Sequence, residues 1–296
     1  MPRGTDALPE GLDSAGLLAF RSRVLELGRR LYRDLPWRRT RDPYAVWVSE
    51  VMLQQTQVAR VDGRWQRWLE RFPTPGALAQ APAVEVLREW QGMGYNRRAL
   101  ALQRAAQRIA ELGSFPQDQG QLVALPGIGP ATAAGIRAFA FDAPGVYLET
   151  NVRAVFLHEL FAGEEGVPDK RLMPLVQATC PLDANNPQDD PRTWYYALLD
   201  YGAWLKRTVP NPSRRSRGHA RQSKFEGSHR QKRAELVRIL LAAGEEGLAP
   251  AEVAARLNEA EAAAGRAPVD PALVKGILAE LSAEGFCRCQ AGRWLV

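Results

Sequence analysis

Apolar residues recur three or four positions apart along most of residues 15–205, the spacing of one face of a helix. Short Gly and Pro breaks divide this pattern, which predicts helices over 15–31, 61–71, 74–80, 83–90, 97–112, 119–125 and 129–141. Asp42 followed by Pro43 is a typical helix start, and a further helix is predicted from there through Gln57. Alternating strand patterns are scarce, so this part of the chain is predicted to be all-α.

The C-terminal part of the chain has a different pattern. Residues 233–243, 249–264 and 270–284 predict three helices, and residues 285–296 alternate around Ala291-Gly292 as a short hairpin does. Three helices and a terminal hairpin are typical of a winged helix, a module that binds nucleic acid or protein. A small helical cap without a binding role is the alternative. We therefore predict three parts: a helical domain over 15–205, a loop or linker over 206–232, and a winged-helix-like domain over 233–296.

The basic charge of the chain is concentrated between its two folded parts. The net charge is +6, yet residues 206–233 alone carry ten basic residues and one acid, so the remainder is at −3. Such a segment is either a solvated linker or a contact with nucleic acid. Its Ser, Pro and Gly content argues against a regular helix. If it binds phosphates, Arg214, Arg215, Arg217 and Arg221 are the candidate contacts.

Composition excludes several other classes of protein. Hydrophobic residues make up 46% and charged residues 24%, as in globular proteins, and no stretch approaches the ~18 apolar residues of a membrane helix. The N-terminus lacks the apolar core of a signal peptide, so we expect a cytoplasmic protein with no membrane contact. Cys180, Cys287 and Cys289 are too few for a disulfide framework, and Cys287-x-Cys289 is too closely spaced for a metal hook. No metal site is assigned.

The most specific local motif is LPGIGPATA at residues 125–133. A proline and two glycines before a helix predict a tight turn whose backbone N–H groups face outward at the helix N-terminus, where they can bind a phosphate. Glycine permits this close approach because it has no Cβ. The motif favours a helix–hairpin–helix that binds the DNA backbone over a simple helix–turn–helix. The predicted contacts are Leu125, Gly127, Gly129 and Thr132.

This motif and four others together resemble the adenine DNA glycosylases of the helix–hairpin–helix superfamily, which are relatives of endonuclease III. The others are PYAVWVSEVMLQQTQV at 43–58, LPWR at 35–38, GMGY at 92–95 and DYGA at 200–203, in the family's order and spacing. The resemblance covers about residues 15–205. It implies an all-α fold of two helical subdomains that binds double-stranded DNA and removes a flipped base.

The resemblance assigns the general acid to Glu50, which would protonate the ring of a flipped purine before its bond to the sugar breaks. A carboxyl buried among apolar neighbours has a raised pKa and can hold a proton at neutral pH. Gln54 and Gln57 follow at helical spacing on one face, and with Gln55 they could reach the bases left unpaired. Tyr95 matches the family's aromatic wedge beside the lesion.

The second catalytic carboxyl departs from the family pattern. The resemblance places an aspartate where this chain has Glu149, one methylene longer. The implied role is to stabilise the cationic sugar or to capture it covalently. The alternative is a structural salt bridge between Glu149 and Arg153, four residues further on.

Three further departures change the expected function. The four cysteines that hold the family's iron–sulfur cluster are replaced by Lys206, Ser213, Ser216 and Gln222, so we expect no cluster and no other cofactor. The family's C-terminal domain, which reads 8-oxoguanine, is also missing. Bifunctional relatives carry a catalytic lysine in the hairpin motif, where this chain has Ala131, and the first lysine in the chain is Lys170.

The sequence therefore predicts a monomeric, monofunctional DNA glycosylase of base excision repair that is associated with the nucleoid. It would hydrolyse the N-glycosidic bond and leave an intact abasic site. Adenine in a mismatch is the first candidate substrate. Two alternatives stay open: a glycosylase for another damaged or mismatched base, and a non-catalytic DNA-binding protein.

Overall fold

The computed structural model describes residues 13–182, 190–219 and 224–296. They fall into two compact units, and each unit combines two separate stretches of chain. The first contains residues 13–51 and the described part of 115–221, and the second contains residues 52–114 and the described part of 222–296. The linear domain boundaries predicted above stay a prediction.

The helices confirm the all-α prediction. In chain order they are α1 (Ser14–Leu31), α2 (Pro43–Leu53), α3 (Val58–Val61), α4 (Arg64–Arg71), α5 (Pro75–Gln80), α6 (Ala83–Trp90), α7 (Arg97–Leu112), α8 (Gln119–Val123), α9 (Pro130–Phe141), α10 (Thr150–Leu160), α11 (Asp169–Thr179), α12 (Pro191–Thr208), α13 (His229–Ala243), α14 (Pro250–Ala263) and α15 (Pro271–Ala283). Short 3-10 turns cover Pro36–Arg38, Pro212–Arg215 and Gly244–Glu246. A hairpin of β1 (Arg288–Gln290) and β2 (Arg293–Leu295) ends the chain.

Three predicted helices differ from the structure by a break or by four residues, and the others differ by two residues or fewer at either end. Helix α2 ends at Leu53 rather than continuing through Gln57, and Gln55 has a left-handed φ of 52°. The helix predicted over 61–71 is divided at Gly63, whose φ of 75° a helix does not accommodate. Helix α13 begins four residues earlier than predicted, because the Ser228 side chain accepts a hydrogen bond from Gln231 N–H and caps the helix.

The first unit is built on α12, which packs against α1 and α10. Both contacts require glycine. A Cβ at Gly28 on α1 would overlap Ala197 on α12, and a Cβ at Gly202 on α12 would overlap the backbone of Asn151 on α10. The close approach buries a continuous apolar core that includes Phe20, Phe156 and Trp194. Burial of such side chains stabilises the unit by roughly 1.5–3 kcal/mol each.

Two family motifs meet within this unit. Arg38 of the LPWR motif donates two hydrogen bonds, of 2.7 and 2.9 Å, to the carboxylate of Asp200 in the DYGA motif. Arg33 donates to the same carboxylate from its backbone and its side chain. All these groups on Arg38 and Asp200 are buried, and a buried charge is tolerated when it is paired and hydrogen-bonded in this way. Both motifs therefore have a structural role, which fixes the segment that leads into α2.

In the second unit, α7 packs against α5 and α6, and α13 also contacts α6. Glu284, at the end of α15, accepts hydrogen bonds from Arg97 on α7 and from Arg233 on α13. The predicted hairpin is confirmed. Its two-residue turn, Ala291-Gly292, has positive φ at both positions, as a type I′ turn requires.

A single bridge adds an element that the sequence did not predict. The backbone of Leu248, just before α14, pairs antiparallel with Trp294 on β2. The order of elements is thus α13, the single bridge residue Leu248, α14, α15 and the hairpin.

Among the residues that the structure describes, no helix combines the length and the apolarity of a membrane crossing. Cys180, Cys287 and Cys289 form no disulfide with one another.

Candidate active site

Glu50 lies near the end of α2, on a helix whose other side chains are largely buried. Asp42 caps the start of this helix by accepting a hydrogen bond from Ala45 N–H at 3.0 Å. Val46, Val48 and Val51 are buried around it, whereas Glu50 keeps a partial opening to solvent. Burial raises the pKa of Glu50 to about 8, and the nearby Glu149 carboxyl contributes to this rise. The carboxyl therefore holds a proton at neutral pH, as the sequence predicted.

Tyr147 binds Glu50 directly, and sequence reasoning missed it. Its hydroxyl donates a 2.9 Å hydrogen bond to Oε2 of Glu50. The ring is buried between Phe139 and Tyr195, both of which it meets edge-to-face with centroids 5.3 Å apart. The Tyr147 N–H also donates to the Tyr195 hydroxyl at 3.3 Å. Burial raises the pKa of the Tyr147 phenol well above its usual value, so this group stays a neutral donor.

Gly135 on α9 provides the space in which this pair of side chains meets. A Cβ on residue 135 would lie 2.5 Å from Oε2 of Glu50 and 2.7 Å from Cε2 of Tyr147. Both distances are shorter than van der Waals contact. Helix α9 therefore supports the Glu50–Tyr147 pair through a glycine, six residues after the last glycine of the hairpin motif.

Glu149 lies in the same unit as Glu50 and is partly buried. It is the N-cap residue of α10, and burial raises the pKa of its carboxyl. The Thr150 backbone N–H and the charge of Arg153 oppose this rise. The guanidinium of Arg153, however, makes its hydrogen bonds to Asp169, at 2.9 and 2.7 Å. The structure thus pairs Arg153 with Asp169, and not with Glu149 as the structural alternative supposed.

Lys206 lies beside the start of α10. Its Nζ donates to Oδ1 of Asn151 at 3.1 Å, and burial lowers the pKa of this amine. Lys206 stands at the first of the four positions where the family has a cluster cysteine. Here it links α12 to the helix that begins just after Glu149.

The hairpin motif forms the predicted turn between α8 and α9. Gly127 has a φ of 76°, which glycine adopts without strain, and it is exposed together with Gly129. The space beside Gly129 is open, so the backbone of a DNA strand could approach this residue closely. Leu125 and Thr132, in contrast, are buried. The turn can therefore present backbone N–H groups to a phosphate at the start of α9, while the buried side chains of Leu125 and Thr132 stabilise the turn.

The predicted DNA-contacting residues Gln54, Gln55, Gln57 and Tyr95 lie in two turns that Arg98 holds together. The guanidinium of Arg98 donates to the Gln54 carbonyl at 2.5 Å and to the Gly94 carbonyl at 3.2 Å. Gln55, Gln57 and Tyr95 are exposed. Gln54 and Gln57 do not share a helix face, because α2 ends at Leu53.

The basic segment is folded where the structure describes it. Arg214 and Arg217 are exposed. Arg215 donates to the carbonyls of Leu157 and Phe161 at the end of α10, both at 2.5 Å. The prediction for Arg215 is therefore revised from a phosphate contact to an anchor of this segment. Arg221 lies outside the described residues.

Several known proteins that are similar to this chain are DNA glycosylases. Residues 48–179 match the model of the HhH-GPD superfamily base excision DNA repair protein. The adenine DNA glycosylase of Mycolicibacterium smegmatis is 40% identical over 174 residues, which cover 58% of this chain and 58% of that protein. The human adenine DNA glycosylase is 41% identical over 154 residues, which cover 48% and 28% of the two chains. The match thus spans little more than half of the mycobacterial protein and less than a third of the human one.

Solved structures share the fold. A thermostable thymine-DNA glycosylase superposes with a TM-score of 0.56 at 22% identity, over 74% of this chain and 96% of that one. A non-covalent endonuclease III–DNA complex gives a TM-score of 0.51 at 18% identity, over 73% and 93%. At these identities the likeness concerns the fold alone. The predicted resemblance to the helix–hairpin–helix glycosylases is confirmed.

Proposed function

Starting from an HhH-GPD domain over residues 48–179, we propose that this protein is a monofunctional DNA glycosylase of base excision repair that removes adenine from mismatched double-stranded DNA. The observation that carries the proposal is the Glu50 carboxyl, which accepts a hydrogen bond from Tyr147 and whose pKa burial raises to about 8. A neutral carboxylic acid in such a position can donate a proton to a purine ring.

The hydrogen bond from Tyr147 determines which oxygen acts. Because the phenol donates to Oε2, the transferable proton resides on Oε1. Glu50 is not fully buried as a residue, and a flipped base that reaches it would take the proton from that oxygen. Protonation of the base makes it a better leaving group, and the C1′–N bond then breaks as water replaces the base.

Glu149 would stabilise the positive charge that develops on the sugar. Burial raises the pKa of this carboxyl, and support for the ionised form comes from the Thr150 N–H and the charge of Arg153, which both oppose that rise. Glu149→Gln should lose base release, whereas Glu149→Asp, which restores the family's residue, should retain it. Equal activity of both variants would remove Glu149 from the mechanism.

DNA binding would combine three features of the chain. The turn at Gly127–Gly129 and the exposed Arg214 and Arg217 would contact phosphates, and the winged-helix-like element order of residues 229–296 would add a further nucleic-acid module. The exposed glutamines after α2 would contact the bases near the flipped nucleotide.

The cluster implied by the family does not fit this chain. Iron–sulfur clusters are held by thiolates, and an amine, two hydroxyls and an amide stand at the four positions. Gln222, the last of them, lies outside the described residues. Ser213 and Ser216 are buried, and the backbone pairing of Arg215 and Arg217 with Val167 holds this segment. We expect no iron in the purified protein, and stoichiometric iron and sulfide would contradict this.

The reaction would end at an intact abasic site. A β-elimination route needs a primary amine that attacks C1′, and the matching position in the hairpin motif is Ala131. Lys206 is half-buried and bound to Asn151. Borohydride added during turnover should therefore trap little covalent adduct. Strand cleavage that keeps pace with base release would contradict the monofunctional assignment.

One experiment tests the proposal against its two alternatives. Base release is measured by alkali cleavage on duplexes that vary both the target base and the opposing base, with adenine opposite guanine and opposite 8-oxoguanine included. Preferred release of adenine supports the proposal. Release of another base alone would point to a different glycosylase, and tight binding without release from any duplex would point to a non-catalytic DNA-binding protein.

A further inference from the structure

Two residues of the C-terminal segment lie against Tyr95, the aromatic side chain that matches the family's wedge. Nη1 of Arg230 is 3.4 Å from the Tyr95 hydroxyl. The same guanidinium lies 6.0 Å from the centroid of the Tyr95 ring and 5.7 Å from that of Phe225. Residues about 130 positions apart in the chain thus form one small group of two rings and a cation, all within the second unit.

Both rings are held at the surface. Tyr95 is 40% exposed and Phe225 is 51% exposed. Tyr95 follows the Gly92–Gly94 turn with a left-handed φ of 49°, and the Arg98 guanidinium lies 5.4 Å from its ring. Phe225 occupies a turn that is closed by Ser228, whose N–H and hydroxyl both donate to the Phe225 carbonyl. Large apolar rings on fixed, exposed backbone favour contact with a ligand.

Ion pairs fix the helix that carries Arg230. One turn further along α13, Arg233 pairs with Glu280 at 2.8 Å and with Glu284 at 2.7 Å. Glu284 in turn accepts two hydrogen bonds of 2.6 Å from Arg97, two residues after Tyr95. Networks of this kind restrain position more than isolated surface pairs do. The group of Tyr95, Phe225 and Arg230 is therefore preorganised.

The chemistry of this group suits an unpaired nucleobase. Aromatic rings and guanidinium planes both stack on bases, and a cation beside them favours a polyanionic strand. We propose that Phe225 and Arg230 extend Tyr95 into a stacking platform for the base left unpaired opposite the flipped nucleotide. This inference rests on the proposed function, and it gives the C-terminal segment a part in the choice of the opposing base.

The test uses a duplex that contains a tetrahydrofuran abasic analogue with 2-aminopurine opposite it, so no base release is needed. Binding of the full chain should quench the 2-aminopurine by stacking. Phe225→Ala and Arg230→Ala should each leave the probe bright and weaken binding to this duplex about tenfold, while binding to fully paired DNA stays within about twofold. Phe225→Tyr, which keeps a ring, should preserve the quenching.

Matched controls lie in the same unit. Leu273→Ala removes another exposed apolar side chain, and Arg238→Ala removes an arginine of α13 that pairs with Glu235. Both should behave like the wild-type chain. Wild-type quenching and affinity in Phe225→Ala and Arg230→Ala would overturn the platform, leaving Tyr95 to act alone. Quenching of the probe does not require base release. A chain that quenches the probe but releases no base from any duplex would therefore refute the glycosylase assignment and retain the platform.

Discussion

The Tyr147→Phe substitution tests the acid directly, because it removes one hydroxyl and keeps the buried ring. Tyr147 donates to Oε2 of Glu50 at 2.9 Å, and a donor stabilises the charged carboxylate. The hydrogen bond therefore lowers the pKa of Glu50, against the burial that raises it to about 8. Without the hydroxyl, the pKa of Glu50 should rise further.

The size of the shift follows from the type of bond. A hydrogen bond to a charged group contributes about 1.5–3 kcal/mol, and one pKa unit corresponds to about 1.4 kcal/mol. The pKa of Glu50 should thus increase by about one to two units. In the proposed mechanism base release requires protonated Glu50, so the wild-type rate should fall as the pH rises through about 8. In Tyr147→Phe this fall should occur at higher pH, and any loss of rate at pH 7 would measure the orientation of the carboxyl.

The assay is single-turnover base release between about pH 6 and pH 10, with DNA binding saturated at each pH. Tyr195→Phe is the matched control, since it removes a buried hydroxyl from the neighbouring ring that bonds backbone groups of Tyr147 and Gly145. In this control the rate should fall at the same pH as in the wild type. If the rate of Tyr147→Phe falls at the wild-type pH or at a lower pH, this account of the Glu50–Tyr147 pair is refuted.

Three other substitutions test the site and the DNA contacts. Glu50→Gln should reduce base release by about 10²–10⁴-fold with binding intact, because the amide has no acidic proton; single-turnover rates within threefold of wild type would contradict the assignment. Gly135→Ala should displace the Glu50 carboxyl and slow base release about tenfold or more, whereas the control Gly276→Ala, whose Cβ would meet open space, should not. Equal rates in the two variants would show that Gly135 has no steric role at the site. The double substitution of Arg214 and Arg217 by Ala should reduce the slope of log K against log salt by about 1.8, equally for all duplexes, and an unchanged slope would exclude phosphate contacts there.

Local patterns predicted most of the helices, and the role of Glu50 as the acid stays a prediction. Helices α6 and α7 have the predicted bounds, since the apolar spacing of each coincides with its packing. The prediction was wrong for Gln54–Gln57, although glutamine favours helix. Arg98 accounts for the difference, because its guanidinium takes the carbonyls of Met52 and Gln54, which a continuing helix would give to its own N–H groups.

The partners of the site residues were harder to predict. Tyr147 is 97 positions from Glu50, and in the sequence it looks like one more apolar residue beside Val146 and Leu148. Local charge spacing suggested a Glu149–Arg153 pair, but Arg153 bonds Asp169 on the next helix. Such pairings depend on how distant elements pack, which single-residue patterns do not encode.

The two carboxyls of the site differ in a way that suits two distinct tasks. Glu50 is stabilised as an anion chiefly by the neutral hydroxyl of Tyr147, and burial dominates its pKa. Burial raises the pKa of Glu149 as well, but at the start of α10 the Thr150 N–H, the Arg153 charge and the helix dipole all oppose this rise. If Glu50 loses its proton, the two charges repel, because each raises the cost of ionising the other. This coupling favours the state in which only one of the two carboxyls is ionised, and the groups around Glu149 favour Glu149 as the charged one. The proposed departure of a protonated base from a cationic sugar needs this state.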